Sequence, residues 1–417
     1  MTTQLGNYKR TKFSCFFSYL TMASIFSLPP MLFVTFRETF GISYTLLGTL
    51  VLINFCTQLS IDLMFTFFSK YFNIKIMVRF MPILTSVGMA LYALIPSFFP
   101  QYAYAGLVAG TIIFSVSAGL SEVLLSPLVA SLPSDNPERD MSALHSLYGY
   151  GVVTVVLISS LFFRLFGTEN WMYLTLFFAA LPLLSALSFM LSPIPDIHTS
   201  SSESTAKRHA NTGFGLTLCV LCIFLGSAAE NTMTNWISSY VENALHISKS
   251  LSDLLGLSLF AIALSLTRTF YAKYGKNISR MLLIGMIGST CCYLIAGFSS
   301  SMVFALAACV ATGVFSSMLW PGTLILMEEK FPQLGVAAYA LMAAGGDFGA
   351  SVAPQLMGAI ADTVAASRWA QTMSVSLAMS TEQLGMKAAM VLSSVFPFLG
   401  IFLLIYIIHY FRKHKAQ

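Results

Sequence analysis

Long apolar bands, each of about 20 residues or more, run through this chain and restrict the folds open to it. A helix rises 1.5 Å per residue, so about 20 apolar residues cross a hydrocarbon core of about 30 Å. Only 9% of the 417 residues are charged, against about 25% in soluble domains, which excludes a water-soluble globular protein. The bands predict an all-α polytopic membrane protein with twelve transmembrane helices. They lie near residues 13–36, 44–68, 76–96, 102–130, 142–166, 171–192, 213–241, 250–272, 281–299, 302–327, 335–362 and 387–411.

The distribution of Lys and Arg predicts the orientation. With the N-terminus inside, the inner segments hold 16 basic residues and the outer segments five. Cytoplasmic loops are enriched in Lys and Arg, so we expect both termini in the cytoplasm and residues 363–386 in a long, partly helical external loop. The first band is long enough to span, so we expect no cleaved signal peptide. The net charge of +5 comes from basic residues beside the bands and does not indicate nucleic-acid binding.

A polar, Ser-rich segment at 193–212 divides the chain into an N-terminal half, 1–192, and a C-terminal half, 213–417. Three short patterns recur between the halves at offsets of about 200 residues. Together they predict two parallel, pseudo-symmetric six-helix bundles joined by a cytoplasmic linker. The recurring pairs are Ile42-Ser43 with Ile247-Ser248, Ser69-Lys70-Tyr71 with Ala272-Lys273-Tyr274, and Gly119-x7-Pro127 with Gly313-x7-Pro321.

Acidic residues inside the bands are the first functional candidates, because an unpaired charge at membrane depth costs at least ~2.5 kcal/mol. Glu122, in the fourth band, is a candidate for proton coupling or solute contact; the alternative is a protonated side chain that bonds a neighbouring helix. Asn54, Gln58 and Asp62 are spaced by four and share one helical face. Such a polar stripe serves solute binding, gating or helix packing, and Asp62 is a second candidate for proton coupling.

Two further charges lie in the second half. Asp347, a third candidate for proton coupling, sits in a run of small residues that lets helices approach closely. Arg268 could neutralise one of the acidic side chains or extend to the cytoplasm. We favour the second alternative, because Arg268 lies five residues before Lys273.

The seventh band carries the densest set of polar and aromatic residues. Amide groups beside flat rings suit a sugar, whose hydroxyls need hydrogen bonds and whose C–H faces stack on rings. For Trp236 and Tyr240 the alternative is an aromatic belt at the membrane surface. The predicted solute ligands are Asn54, Gln58, Glu122, His145, Tyr148, Glu230, Asn231, Asn235, Trp236, Tyr240 and Trp320. His145 could also relay protons or make a structural hydrogen bond.

Other chemistry is not indicated. There is no phosphate-binding glycine loop, so we expect no nucleotide and no other cofactor. The seven Cys residues lie within apolar bands, and Cys219-x-x-Cys222 has no further ligand nearby, so we interpret all seven as packing residues and expect no metal. A transporter-like sensor or an intramembrane enzyme remains an alternative. However, no soluble domain is visible, and His145 alone does not form an enzyme site.

Twelve bands, a central linker, parallel halves and a short basic loop after bands two and eight together resemble the major facilitator superfamily. Gly119-Leu-Ser-Glu122 with Pro127 is similar to helix 4 of the fucose:proton symporter branch, in which an embedded Glu takes part in proton coupling. His145-Ser-Leu-Tyr148 and Gly346-Asp347-Phe348-Gly349 resemble motifs of bacterial facilitators. The family's acidic residue in the loop between helices 2 and 3 is absent here, which places the latch assigned to it in doubt.

The resemblance implies alternating access at a cavity lined by helices 1, 4, 7 and 10, in a protein that acts as a monomer in the bacterial cytoplasmic membrane. It also places helices 2 and 11 at the seam between the halves, where Asp62 and Asp347 would be neighbours. The favoured function is proton symport of a small polar solute, with a sugar as the preferred class. The alternative is a proton-coupled exporter of drugs or amphipathic metabolites. The missing Pro in the fifth band argues against export, and 35 Phe and 22 Met residues argue mildly for it.

Overall fold

A computed structural model describes residues 8–68, 71–134, 137–195, 210–274, 277–331 and 335–414, and helices account for nearly all of them. Ten helices are long and apolar enough to cross a membrane, and a bent pair at the N-terminus forms an eleventh span. Gly335–Ala365, which is 31 residues long, coincides with the eleventh predicted band. The prediction of an all-α polytopic membrane fold is therefore confirmed.

We number the spanning elements α1 to α12 in chain order. Several of them are interrupted and are given with both parts. Their bounds are α1 (Lys9–Met31 and Phe33–Phe40), α2 (Tyr44–Phe68), α3 (Ile74–Phe98), α4 (Ala103–Ser131), α5 (Pro137–Phe166), α6 (Trp171–Met190), α7 (Ala210–Asn243), α8 (Lys249–Ser252, the π-helical turn Asp253–Ser258 and Leu259–Tyr274), α9 (Ile278–Phe298), α10 (Met302–Ser316 and Pro321–Lys330), α11 (Gly335–Ala365) and α12 (Thr381–Ser393 and Val395–His414).

Proline explains two of the interruptions. In α1 the pair Pro29 and Pro30 precedes a 48° bend at Leu32, because proline cannot donate the backbone hydrogen bond of a regular helix. In α10 the second part begins at Pro321, where the missing N–H is tolerated at the first helical position.

The segment predicted as a long external loop is shorter than expected. α11 continues to Ala365, a separate helix occupies Arg368–Leu377, and α12 begins at Thr381. Ser367 and Ser380 explain the starts of the last two, since each side chain accepts a hydrogen bond from a backbone N–H in the first turn. The segment is thus mainly helical.

The chain forms two compact units. One comprises the described residues of Met1–Gly41 and Ile53–Ser201, and the other those of Ile42–Leu52 and Ser202–Gln417. This division departs from the predicted halves at 42–52. Within the second unit, Thr45 donates from its backbone N (2.6 Å) and its hydroxyl (2.7 Å) to one carboxylate oxygen of Asp362. These two hydrogen bonds attach the beginning of α2 to α11.

Glycines permit a close helix contact in each unit. A Cβ at Gly119 in α4 would lie 2.9 Å from Ile61 Cβ in α2, and a Cβ at Gly313 in α10 would lie 2.5 Å from the Phe260 carbonyl oxygen in α8. No side chain fits at such distances, so both positions require glycine. The two corresponding glycine contacts agree with the predicted repeat of one half of the sequence in the other.

Candidate functional site

In the first unit, α2 and α4 run side by side in the same direction. Ser115 in α4 donates to Asn54 Oδ1 in α2 at 2.6 Å, and Gln58 Nε2 donates to the same oxygen at 3.0 Å. One turn later, Gly119 brings α4 against Gln58 and Ile61. The contacts advance together along both helices, so the next turn brings Asp62 and Glu122 to matching heights.

Two carboxyl groups lie near one another at that next turn. Asp62 and Glu122 are close enough to interact electrostatically, and Glu122 also interacts with the phenol of Tyr19 in α1. Asp62 is half-buried and Tyr19 is 6% exposed, whereas the Glu122 side chain is exposed. One side of Glu122 is therefore not covered by protein. The sequence indicated both carboxyl groups but missed their proximity and the role of Tyr19.

The rest of the predicted stripe packs between helices. Asn54 and Gln58 are 9% and 3% exposed, and Asn54 Oδ1 accepts from both Gln58 and Ser115. In this structure both side chains therefore contribute to the packing of α2 against α4. Tyr148 in α5 is half-buried, and its ring packs edge-on against Phe26 with the ring centroids 5.8 Å apart. The side chains of His145 and Pro127 lie outside the described part of the chain.

In the second unit, Arg268 of α8 pairs with Glu230 of α7. Its Nη2 donates to both carboxylate oxygens, at 2.8 and 3.1 Å. The expectation that Arg268 extends to the cytoplasm is therefore wrong. Helical side chains lean towards the N-terminus of their helix, so Arg268 leans away from Lys273 and back along α8. The Glu230 carboxylate near the middle of α7 attracts the guanidinium, because either charge alone would be costly at this depth.

Pro321 explains a second bond of the same arginine. Residue 321 would normally donate its N–H to the carbonyl of residue 317, but proline has no N–H. The freed Ser317 carbonyl accepts instead from Arg268 Nε at 2.8 Å. The guanidinium of Arg268 is thus held by α7 and α10 at once.

The amides of α7 leave acceptors open. Asn231 Nδ2 donates to the Ser227 carbonyl at 3.2 Å and hydroxyl at 3.1 Å, and Asn235 Nδ2 donates to the Asn231 carbonyl at 2.8 Å. Carbonyls only accept, so these bonds fix each amide with its nitrogen towards the helix and its oxygen away from it. Within the described residues, neither amide oxygen accepts a hydrogen bond.

Trp236 and Tyr240 occupy packing positions. Both are 0% exposed, so they do not form a belt at the membrane surface. Trp236 Nε1 donates to the Pro354 carbonyl in α11 at 3.0 Å, and Tyr240 donates to the Ala296 carbonyl in α9 at 2.5 Å. Their donors are already used, so this placement does not favour the predicted stacking on a solute.

Trp320, at the break in α10, packs against α11 next to Asp347. Trp320 is half-buried and lies against Gly346, where a Cβ would collide with its ring. Asp347 follows Gly346 and is also half-buried. The absence of a side chain at Gly346 therefore allows the Trp320 ring to pack against α11.

A buried charge cluster was missed by the sequence reasoning, which placed Lys249 among the outer basic residues. Lys249 Nζ lies 3.2 Å from Glu242 and 3.4 Å from Asp253, and it donates to the Ser238 hydroxyl at 3.1 Å. Lys249 and Asp253 are 8% and 0% exposed. The i, i+4 spacing of Lys249 and Asp253 was the available signal. No group of three or more His, Cys, Asp or Glu in the described ranges is placed to hold a metal ion.

Comparison with known sequences identifies a family. The sequence profile of the Major Facilitator Superfamily matches residues 13–354, which is most of the chain. No curated protein sequence matches the chain.

Solved structures share the fold. A D-xylose-proton symporter superposes with a TM-score of 0.74 at 15% identity, with 94% of this chain and 97% of that chain covered. A mutant of the nucleoside transporter NupG gives 0.71 at 12% identity, covering 95% and 98%. A bacterial homologue of the human lysosomal transporter Spinster gives 0.69 at 13% identity, covering 98% of each. At these identities the likeness concerns the fold alone.

Proposed function

The chain belongs to the Major Facilitator Superfamily, and we propose that it couples proton movement to the import of a small polar solute, with a sugar as the preferred class. It is a multi-pass membrane protein and a solute transporter rather than an enzyme. The proposal places it in a bacterial cytoplasmic membrane with both termini inside, as a monomer that works by alternating access.

The meeting of Asp62 and Glu122 carries the proton-coupling part. Two carboxyl groups that interact share protons as a pair, because ionising one disfavours ionising the other. Exposure of Glu122 gives the pair contact with water, and the Tyr19 phenol beside Glu122 supplies a hydrogen-bonding group. The pair can therefore take up and release a proton while its helices remain packed at Gly119.

The open amide oxygens of α7 support the choice of a polar solute. Half-buried Asn231 presents an acceptor whose orientation is fixed by its own helix, and hydroxyl groups are the donors that such an acceptor selects. The Asn235 oxygen is oriented in the same way, but this residue is only 8% exposed. The resemblance of α4 to the fucose:proton symporter branch, and the name of the D-xylose-proton symporter, agree with a hydroxylated solute. Asp347 enters the proposal as a second protonation site.

Proton flux into liposomes tests the proposal. Purified protein is reconstituted with a pH-sensitive dye inside, and a panel of sugars is added outside at zero membrane potential. We expect the lumen to acidify with one or more sugars, and Glu122→Gln to abolish that acidification. Glu169→Gln makes the same chemical change on an exposed 3₁₀ turn, Thr168–Asn170, and should acidify like the wild type.

The outcomes separate the alternatives. Acidification that persists in Glu122→Gln would refute the role of the carboxyl pair. Solute-induced alkalinisation with bulky cations, and no response to any sugar, would establish the exporter of drugs or amphipathic metabolites instead.

A further inference from the structure

The guanidinium of Arg268 has one edge that the protein does not use. Nε donates to the Ser317 carbonyl, and Nη2 donates to both oxygens of Glu230. Within the described residues, Nη1 has no hydrogen-bond partner, although it carries two N–H donors. Two of the three nitrogens are thus fixed, and the third is oriented but open.

Arg268 is more exposed than the glutamate it pairs with. The Arg268 side chain is 40% exposed, whereas its partner Glu230 is 16% exposed. Glu230 lies close to the midpoint of the span Gly213–Asn243, so the guanidinium is drawn to a similar depth. A charged donor is costly against hydrocarbon, so the open edge at this depth requires water or a polar ligand.

We infer that Arg268 Nη1 binds an anionic group of the transported solute, a carboxylate or a phosphate. This inference rests on the proposed transport of a polar solute and narrows its class to a polyhydroxylated anion. Planar N–H donors match carboxylate and phosphate oxygens in geometry and charge. Because α7 and α10 hold Arg268 before any solute arrives, little side-chain entropy is lost on binding.

The adjacent residue of α7 explains why the anion should carry hydroxyl groups. Asn231 follows Glu230 in the sequence, and its amide oxygen is directed away from its own helix. A solute anchored by its acid on Arg268 could donate a hydroxyl to Asn231. A neutral sugar would leave the Nη1 donors without a charged partner and would bind more weakly.

Binding of matched probes tests the inference without a proton gradient. The full chain in detergent is titrated calorimetrically with D-glucose, D-galactose, their uronates and their 6-phosphates. We expect at least one acidic probe to bind about ten-fold or more tightly than its neutral parent, equivalent to ~1.4 kcal/mol. Preference for the uronate would identify the anion as a carboxylate, and preference for the phosphate ester would identify it as a phosphate.

Variants assign the preference to Arg268. Arg268→Lys keeps the positive charge beside Glu230 but removes Nη1, and should lose the preference for acidic probes. Arg280→Lys, on an exposed position of α9, should keep it. If Arg268→Lys does not fold, the double variant Arg268→Gln/Glu230→Gln replaces both charges, avoids an orphaned carboxylate, and should also lose the preference.

The inference is overturned if no acidic probe binds the wild type more tightly than its neutral parent, or if the Arg268 variants retain the preference. Its failure is distinct from that of the proposed function. Acidic probes that bind through Arg268 but move no protons through Glu122 would leave this site in place and refute proton coupling. Sugars that drive Glu122-dependent proton flux, with no preference for acidic probes, would support proton coupling and refute anion binding at Arg268.

Discussion

Arg268 Nη2 lies 2.8 and 3.1 Å from the two carboxylate oxygens of Glu230, and this contact joins α8 to α7. The Nε of the same arginine joins α8 to the broken part of α10 through Ser317. One side chain therefore links three helices of the second unit. The two partners differ in exposure, at 40% for Arg268 and 16% for Glu230, so removing one is not equivalent to removing the other.

Arg268→Met should destabilise the protein more than Glu230→Gln. The first leaves a mostly buried carboxylate without its cation, which costs up to about 3 kcal/mol in a site of this kind. The second leaves an arginine that still reaches water and still bonds Ser317. Thermal unfolding in detergent measures the difference, and the double variant Arg268→Met/Glu230→Gln should lose less stability than the two single losses added together. Equal losses for the two single variants, or strict additivity, would contradict the pairing.

Gly119→Ala should loosen the contact between α2 and α4. The added Cβ would lie 2.9 Å from Ile61 Cβ, and such overpacking costs about 1–3 kcal/mol. Gly213→Ala in α7 is the matched control, because a Cβ there meets nothing within 4 Å; alanine should leave its stability unchanged or raise it by up to ~1 kcal/mol. Melting temperatures test both, and a neutral Gly119→Ala would show that Asp62 and Glu122 do not depend on this contact.

The sequence predicts the helices well because their cause is local. A band of about 20 apolar residues forms a spanning helix whatever its neighbours are, since the backbone must satisfy its own hydrogen bonds in lipid. Glycines 119 and 313 and Pro321 were visible for the same reason, because each imposes a constraint on its own backbone. The candidate acids Asp62, Glu122 and Glu230 were likewise visible as charges inside apolar bands.

Partners and orientations could not be predicted in the same way, because they depend on helices far apart in sequence. Arg268 was expected to follow its neighbour Lys273, but its partner Glu230 is 38 positions away. Trp236 and Tyr240 have the composition of a sugar site, yet their donors are satisfied by carbonyls of other helices. The Lys249 cluster was missed because Ser238 and Glu242 of α7 approach Lys249 and Asp253 only when α7 packs on α8.

Lys249→Met should destabilise the second unit strongly. It would leave Asp253, which is 0% exposed, and the nearby Glu242 without their cation, a loss of about 3–5 kcal/mol. Adding Asp253→Asn to Lys249→Met should recover part of that stability, because the amide removes one of the two orphaned charges. Thermal unfolding of the single and double variants decides the point. A double variant less stable than Lys249→Met would show that Asp253 is held by groups other than Lys249.

Pro321→Ala should separate stability from solute binding. Alanine restores the N–H that proline lacks, so residue 321 could donate to the Ser317 carbonyl and α10 could become continuous. The melting temperature should then stay level or rise, while Arg268 loses its Nε partner and its fixed orientation. Solute affinity should fall by about ten-fold, the loss expected for one charged hydrogen bond. Pro182→Ala, at an internal proline of α6 in the first unit, should leave affinity unchanged. A Pro321→Ala variant that binds solute as tightly as the wild type would show that Arg268 holds its position without the broken helix.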